Sequence, residues 1–270
     1  MFVSKLSADA SHIVYSTYLG GSGDDSSNAV ALGKNGALYL AGTTNSTNFP
    51  TTRGALSTAA RGDSDAFVVK LAPDGTHLLY STYLGGTGVD VASNVVVDGT
   101  GAVYVAGTTR SENFPATKGA FASAYQGSNN VLYVSKFSPD GRRLLYSTLI
   151  GESGGYYFGG LAVDRHGAAY VTSTAYAKDF PTTKDAFSTR VAGSYDAIVS
   201  KVAPDGQSLQ YSTFLGGNAS DTGNGIVVDD ASAAYVIGST TSTNLPTTIR
   251  CFPRRSQKRR RPCIRRQAGA

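Results

Sequence analysis

A fixed repeat runs through most of the chain and constrains its fold more than any other sequence feature. The tripeptide Tyr-Ser-Thr occurs four times, and a proline followed by threonine-containing residues occurs four times in step with it. Both series advance by 65, 66 and 65 residues. Self-similarity at a fixed period indicates a repeat architecture, in which each unit packs on its neighbours. The tripeptides begin at Tyr15, Tyr80, Tyr146 and Tyr211, and the prolines are Pro50, Pro115, Pro181 and Pro246.

Each unit contains four short apolar runs separated by turn residues, and the second copy shows them most clearly. Asn94–Asp98 and Ala102–Gly107 flank a Gly-Thr-Gly turn, which predicts one hairpin. Val131–Phe137 and Leu144–Leu149 flank a Pro-Asp-Gly turn, in which proline fixes φ, and they predict another. The 32 glycines, the 16 tyrosines and the absence of tryptophan also favour strands and turns over helices.

A four-stranded antiparallel sheet of this kind cannot bury both faces alone, so the units must stack. A solenoid would have shorter units with a parallel strand, and a sandwich would not repeat at a near-constant period. Radial stacking therefore predicts an all-β β-propeller of about four four-stranded blades over residues 1–248. By analogy with other propellers, the strands containing Asn94, Tyr104, Lys136 and Tyr146 are expected in that order from the centre outward.

The chain is expected to start and stop within a blade. It opens with a third and a fourth strand, Phe2–Leu6 and Ile13–Leu19, and the repeats close with a first and a second strand, Asn224–Val228 and Ala233–Gly238. Pairing of these halves would close a four-bladed ring and remove open sheet edges. The alternative is a fragment of a larger propeller.

Four motifs follow one another within each period. They are Tyr-Ser-Thr-Tyr-Leu-Gly-Gly at 80–86, Ala-Val-Tyr-Val-Ala-Gly at 102–107, Asn-Phe-Pro at 113–115 and Asp-Ala-Phe-Val-Val-Lys-Leu at 65–71. They resemble the bacterial β-propeller repeat called the SBBP repeat, and the resemblance covers residues 2–248. It implies propeller blades, usually in larger bacterial proteins that are exported or displayed on the cell surface, without a general enzymatic activity. An extracellular or cell-surface location is therefore expected, although the N-terminus has no signal-peptide pattern.

The net charge of +5 is concentrated at the C-terminus. Of the 24 Lys and Arg residues, nine lie in residues 249–270, so residues 1–248 carry 15 basic and 19 acidic residues. Both cysteines, Cys251 and Cys263, also lie in this tail, which leaves the repeats without thiols. We therefore expect a mildly acidic repeat domain, 1–248, and a basic, disordered tail outside the fold, 249–270.

Three interpretations of the tail remain open. Read one base later, codons for Ile-Arg-Cys-Phe at 249–252 can encode Ser-Gly-Ala-Phe, close to Lys-Gly-Ala-Phe at 118–121, so the tail is hypothesised to be an out-of-frame fifth repeat. It can also be a nonspecific disordered segment, or bind nucleic acid or anionic lipid by charge alone. Because Phe252 is its only aromatic residue, no specific nucleic-acid partner is expected.

Two patterns could indicate catalysis or zinc binding, but each lacks part of the motif it would need. Gly-Glu-Ser-Gly-Gly at 151–155 matches the nucleophile elbow of hydrolases, but no helix follows it. His12, His77 and His166 occupy turns and lack the spacing of zinc ligands. Neither a catalytic residue nor a metal or other cofactor is therefore expected.

Aspartate and lysine also recur at fixed positions of the unit. Asp25, Asp90 and Asp221 offer the oxygen ligands that calcium prefers, whereas the third copy has Tyr156 at this position. One carboxylate per loop is few for a metal, and aspartate also stabilises turns, so a structural role is favoured. The recurring lysines, interpreted as blade-packing residues rather than a basic ring, are Lys5, Lys70, Lys136 and Lys201.

The candidate ligand-binding residues lie on one predicted face. In up-and-down blades the short turns share one face and the long loops share the other, and loops on a rigid scaffold commonly carry binding sites. The aromatic loop of the third copy is the most distinct, although drift of a surface loop also explains it. The predicted ligand-binding residues are Tyr156, Tyr157, Asn48, Asn113 and Asp179.

The sequence favours a noncatalytic surface or extracellular scaffold or binding module, whose partner is a protein or a carbohydrate. The alternative is a propeller lyase or hydrolase with its site on the long-loop face, but no copy gathers acids and a histidine that the others lack. No run of 18 apolar residues is present to cross a membrane. The chain is expected to be a monomer or part of a larger multidomain chain.

Overall fold

A computed structural model of the chain describes residues 1–124, 129–153, 158–176 and 180–248. These residues form β-strands and turns without a helix, so none of them builds a helix able to span a membrane. The tail expected at 249–270 lies outside the described residues. The strands are β1 (Phe2–Leu6), β2 (Ile13–Tyr18), β3 (Asp25–Leu32), β4 (Leu38–Thr44), β5 (Asp65–Leu71), β6 (Leu78–Leu84), β7 (Asp90–Val97), β8 (Val103–Thr109), β9 (Val131–Phe137), β10 (Leu144–Glu152), β11 (Phe158–Val163), β12 (Ala169–Ala175), β13 (Asp196–Val202), β14 (Leu209–Leu215), β15 (Asp221–Val228) and β16 (Ala234–Thr240).

The strands form three four-stranded antiparallel sheets and two two-stranded sheets. Each four-stranded sheet takes its strands in chain order: β3 to β6, β7 to β10, and β11 to β14. The first strands of successive units, β3, β7, β11 and β15, contact one another in turn. The predicted strand order is therefore confirmed, and the fold is a row of propeller-like blades.

Both ends of this row remain open. β1 pairs with β2 and β15 pairs with β16, but among the described residues β16 does not pair with β1. The closed four-bladed ring, one of the two arrangements considered from the sequence, is therefore not observed. Strand contacts join the three complete sheets to one another in chain order and the last of them to β15, while β1 and β2 pack on the first complete sheet through their side chains, so three complete sheets stand between two half-sheets.

The inner strands begin earlier than their apolar pattern predicts. β7 starts at Asp90 rather than Asn94, because Asp90 pairs with Thr109 at the far end of β8. A bulge between Ala92 and Asn94 shifts the register partway along the strand. The apolar pattern predicts only the second half of this strand, because Asp90 and Ser93 in its first half are polar.

The hydrophobic core lies between the blades. One cluster joins β1 and β2 to the first complete sheet, two clusters fill the junctions between complete sheets, and a fourth joins the last complete sheet to β15 and β16. Phe67, Tyr133 and Phe214 are among the fully buried rings. Burial of the sheet faces therefore depends on stacking, as the repeat predicts.

Three of the four junctions contain a tyrosine that packs on a turn glycine. Tyr80, which begins a Tyr-Ser-Thr motif, lies against Gly141 in the Pro-Asp-Gly turn of the next unit. Gly141 has a φ of 69°, and a Cβ at this position would lie 2.4 Å from the Tyr80 ring. Glycine satisfies both the left-handed backbone and the close ring. The same contact joins Tyr15 to Gly75 and Tyr146 to Gly206.

Three of the four recurring lysines pack within the blades, as predicted, whereas Lys5 is exposed. Lys136 Nζ lies 4.8 Å from the centroid of the Tyr104 ring and 3.9 Å from Oδ2 of Asp98. The Tyr104 hydroxyl also lies 3.2 Å from the carbonyl oxygen of Gly167 in the next unit, so this cluster ties adjacent blades together. The equivalent clusters are Lys201, Tyr170 and Asp164, and Lys70 with Tyr39, where Gly33 stands in place of the aspartate.

The long loop after each second strand covers the outer edge of its own sheet. The Thr52 N–H donates to the Ser81 carbonyl of β6 at 3.1 Å, and the Ser81 N–H donates to Thr52 Oγ1 at 2.9 Å. The Ser57 N–H donates to Thr82 Oγ1 at 2.9 Å. The Tyr-Ser-Thr and proline–threonine motifs therefore recur together because they bind each other along an edge strand. Thr117 with Ser147, and Thr183 with Ser212, repeat the contact.

Candidate functional site

The connections between strands separate to opposite ends of the blades. Short turns join the first strand to the second and the third to the fourth, while the longer loops and the connections between blades meet at the other end. We call that end the long-loop face, defined by residues 19–24, 45–64, 85–89, 110–124, 180–195, 216–220 and 241–248. Asn48 and Asn113 lie on it, whereas Tyr156, Tyr157 and Asp179 lie outside the described residues.

The two described candidate asparagines hold neighbouring loops together. Asn113 Oδ1 accepts hydrogen bonds from the backbone N–H of Thr87 at 2.8 Å and from its hydroxyl at 3.1 Å. Asn48 Oδ1 accepts the same pair of bonds from Ser22, at 2.8 and 2.9 Å. Asn244, which the sequence analysis did not single out, accepts from the N–H of Asn218 at 2.7 Å. These side chains act as loop clamps, and their contact with a ligand stays a prediction.

The recurring aspartates accept hydrogen bonds from the same loops at buried or half-buried positions beneath the long-loop face. Asp90 is fully buried, and its Oδ2 accepts from the Ser111 hydroxyl at 2.7 Å and from the Gly86 N–H at 2.8 Å, while Thr109 Oγ1 donates to Oδ1. Burial raises the pKa of Asp90, and these hydrogen bonds oppose the rise only in part. The recurrence of aspartate at this position therefore has a structural cause. Asp25 makes the three corresponding bonds, and Asp221 makes the two that go to Oδ2.

A second buried carboxylate lies beside Asp90. A Cβ at Gly85 would lie 2.5 Å from Asp65 Oδ1 and 2.5 Å from Asp90 Oδ2, so both oxygens approach one glycine. Asp65 Oδ1 is buried and has no hydrogen-bond partner among the described residues. Burial raises the pKa of Asp65, and amide bonds from Arg61 and Gly62 only partly offset this. Asp196 and Asp221 form the equivalent pair.

The third copy has lost both members of this pair. Val131 stands at the position of Asp65, and Tyr156 stands at the position of Asp90. Their joint replacement in one copy is the sequence signal that could have revealed the pair. A groove of about 410 Å³ lies near this junction. Its lining includes Phe121, Leu149, Ile150, Glu152 and Pro181.

The serine of the hydrolase-like pattern and the potential metal ligands can be located among the described residues. Ser153, from the hydrolase-like pattern, is buried, and its N–H donates to the Asn130 carbonyl at 2.8 Å directly after β10. It therefore does not occupy an exposed strand-to-helix turn. Within the four described ranges, no three His, Cys, Asp or Glu residues lie close enough to hold a metal ion.

The stacked four-stranded sheets and their shared clamps define the chain as a β-propeller-type repeat protein. A family model described as the SBBP β-propeller repeat matches residues 14–50, 79–115 and 210–246. The chain therefore carries repeats of the SBBP family. Each matched segment runs from an outer strand, across the junction, to the Phe-Pro or Leu-Pro at the end of the clamp, so the family unit coincides with the clamped junction. A comparison with curated proteins gave no match.

Proposed function

We propose that this chain is a noncatalytic scaffold that binds a protein or carbohydrate through its long-loop face, at the cell surface or outside the cell. The hydrogen bonds that hold the loops of this face in place are the main support for the proposal. Aspartate, serine and asparagine repeat in the clamps, whereas the clamped residues Ser22, Thr87 and Asn218 differ between copies. A rigid base with variable exposed positions is the usual arrangement of a binding surface.

The groove near the third copy is the proposed contact point for a ligand. Its apolar lining includes Phe121, Ile150 and Pro181, and Glu152 adds one charge at the end of β10. A concave surface that combines apolar side chains with polar groups favours ligand contact. In the other copies an aspartate at the position of Tyr156 holds a loop in place. Binding is therefore assigned to the third copy, which lacks this aspartate.

The buried carboxylates support a noncatalytic role, because their oxygens already accept hydrogen bonds from the protein. Asp90 already accepts three hydrogen bonds from its own loops, and Asp65 accepts two from backbone amides. A general acid or base has to reach its substrate, whereas these two side chains are enclosed in a blade junction.

The test uses the labelled full chain on an array of soluble polysaccharides and extracellular-matrix proteins. Glu152→Ala and Thr87→Ala alter the long-loop face, while Arg143→Ala and Thr100→Ala are matched changes in the short turns of the opposite face. We expect the first two variants to reduce retention on the array and the controls to retain wild-type binding. Loss confined to the short-turn variants, or cleavage of an array carbohydrate, would contradict the proposal.

A further inference from the structure

The two open ends of the row carry complementary halves of one repeated cluster. In complete blades a lysine of the third strand lies over a tyrosine of the second strand, and in two of them it also meets an aspartate. At the C-terminal end, Tyr235 donates a hydrogen bond to Asp229 at 3.1 Å, but among the described residues no third strand lies beside β16 to supply a lysine. At the N-terminal end, Lys5 lies on a third strand, β1, and no described strand takes the place of the second strand beside it.

Apolar side chains on these two strands are exposed where their repeat equivalents are buried. Phe2 is 71% exposed, whereas Phe67 at the same position is 0% exposed. Tyr235 is 59% exposed, whereas Tyr104 is 0% exposed. Ile237 is also 73% exposed on β16. Open edge strands with this much exposed apolar surface are typical of an interaction site.

We propose that β16 of one copy pairs antiparallel with β1 of a second copy of this chain, which completes a four-stranded blade in the order β15, β16, β1 and β2. The internal blades give the register, since Tyr170 lies opposite Lys201 and Val171 lies opposite Ser200. The repeat period carries these pairs to the open strands. Tyr235 then faces Lys5, Val236 faces Ser4, and Gly238 faces Phe2.

This register makes the two edges complementary in both charge and shape. Lys5 comes to lie over the Tyr235 ring and close to the Asp229 carboxylate, as Lys201 does with Tyr170 and Asp164. Gly238 opposite Phe2 reproduces the glycine–aromatic pairs Gly42–Phe67 and Gly107–Tyr133 of the internal blades. These contacts are therefore those of the second and third strands in each complete blade.

A second copy is the proposed partner of each open edge, because β1 and β16 of a single chain do not pair with each other in the described structure. Each copy offers one β16 edge and one β1 edge, and these edges differ, so the contact is heterologous. Copies then join head to tail, either in a closed ring or in an open row, with masses in multiples of 28.0 kDa. This differs from the monomer expected from the sequence.

Cross-linking between copies tests the pairing directly. In a Cys251→Ser/Cys263→Ser background, Ser4→Cys chains are mixed with Val236→Cys chains and treated with a short thiol-to-thiol cross-linker, since facing β residues lie within its reach. We expect dimers from the mixture and none from either variant alone. Ser4→Cys mixed with Thr100→Cys, in a short turn, is the matched control.

Charge reversal provides a second test that does not depend on thiols. Lys5→Glu alone and Asp229→Lys alone should each weaken association at least about tenfold, measured as mass against concentration by light scattering. A mixture of the two variants should recover association, because every junction between unlike copies regains opposite charges. The proposal is overturned if the wild-type chain stays at 28.0 kDa at every concentration. It is also overturned if mixing fails to restore association, or if a Ser4→Cys/Val236→Cys chain cross-links only within itself.

Discussion

Substitution of Gly141 by alanine tests whether the tyrosine–glycine contact holds the blades together. The left-handed φ of 69° costs an alanine about 1–2 kcal/mol. The new Cβ would lie 2.4 Å from the ring of buried Tyr80, and overpacking of such a site adds about 1–3 kcal/mol. Reduced flexibility of the unfolded chain returns about 0.4–1 kcal/mol. We therefore expect a net loss of about 2–4 kcal/mol in the free energy of unfolding.

Gly119→Ala separates the backbone cost from the ring contact. Gly119 has a φ of 82°, but a Cβ at this position would meet nothing within 4 Å. Its substitution should therefore cost about 1 kcal/mol from φ alone. The difference between Gly141→Ala and Gly119→Ala, about 1–3 kcal/mol, measures the steric conflict with Tyr80.

Urea unfolding followed by far-ultraviolet circular dichroism gives both free energies, and amide exchange of β6 and β9 reports whether the loss is local to the junction. In a Tyr80→Ala background, Gly141→Ala should cost no more than Gly119→Ala does, because the ring is gone. The reasoning is refuted if Gly141→Ala and Gly119→Ala destabilise the wild-type chain equally, or if the Tyr80→Ala background leaves their difference unchanged.

Three further predictions follow from the buried and paired groups. Burial raises the pKa of Asp65, so the wild-type chain should lose stability as the pH rises from the ordinary carboxyl pKa of 3.8 through the raised value. Asp65→Asn should be more stable at neutral pH, and its free energy of unfolding in urea should depend less on pH. A steeper pH dependence in the variant would contradict this. Thr52→Val removes the acceptor of the Ser81 N–H and should cost about 1–2 kcal/mol and speed tryptic cleavage of the loop, whereas Thr51→Val should change neither. Lys201→Met should cost about 1 kcal/mol more than Lys70→Met in thermal unfolding, because only Lys201 also pairs with a carboxylate; equal losses would exclude that explanation.

The strand order and the packing role of the lysines could be predicted because both depend on patterns that recur within one period. Tyr104 and Lys136 repeat in step, and alternation along a strand is a local property. The start of β7 could not be predicted in this way, since Asp90 is polar and joins the strand only through its pairing with Thr109. Tertiary pairing overrides the local pattern there.

The role of the candidate asparagines was also beyond sequence reasoning. Asn113 is an exposed polar residue in a loop, which favours ligand contact, but its oxygen is occupied by Thr87, 26 residues away on another loop. The partner of Asp90 was equally hidden, because Asp65 lies at the start of a different strand. Such contacts depend on how loops from two blades meet, and no local periodicity encodes that meeting.

Each complete blade carries a junction tyrosine on one side and a junction glycine on the other, so the tyrosine of one blade meets the glycine of the next. A newly duplicated blade would therefore meet neighbours that already fit it, and a deleted blade would leave two neighbours that fit each other. Recombination between repeats of the gene can then lengthen or shorten the row in steps of about 65 residues without compensating substitutions. Selection can act on the length of the row separately from the sequence of any one blade.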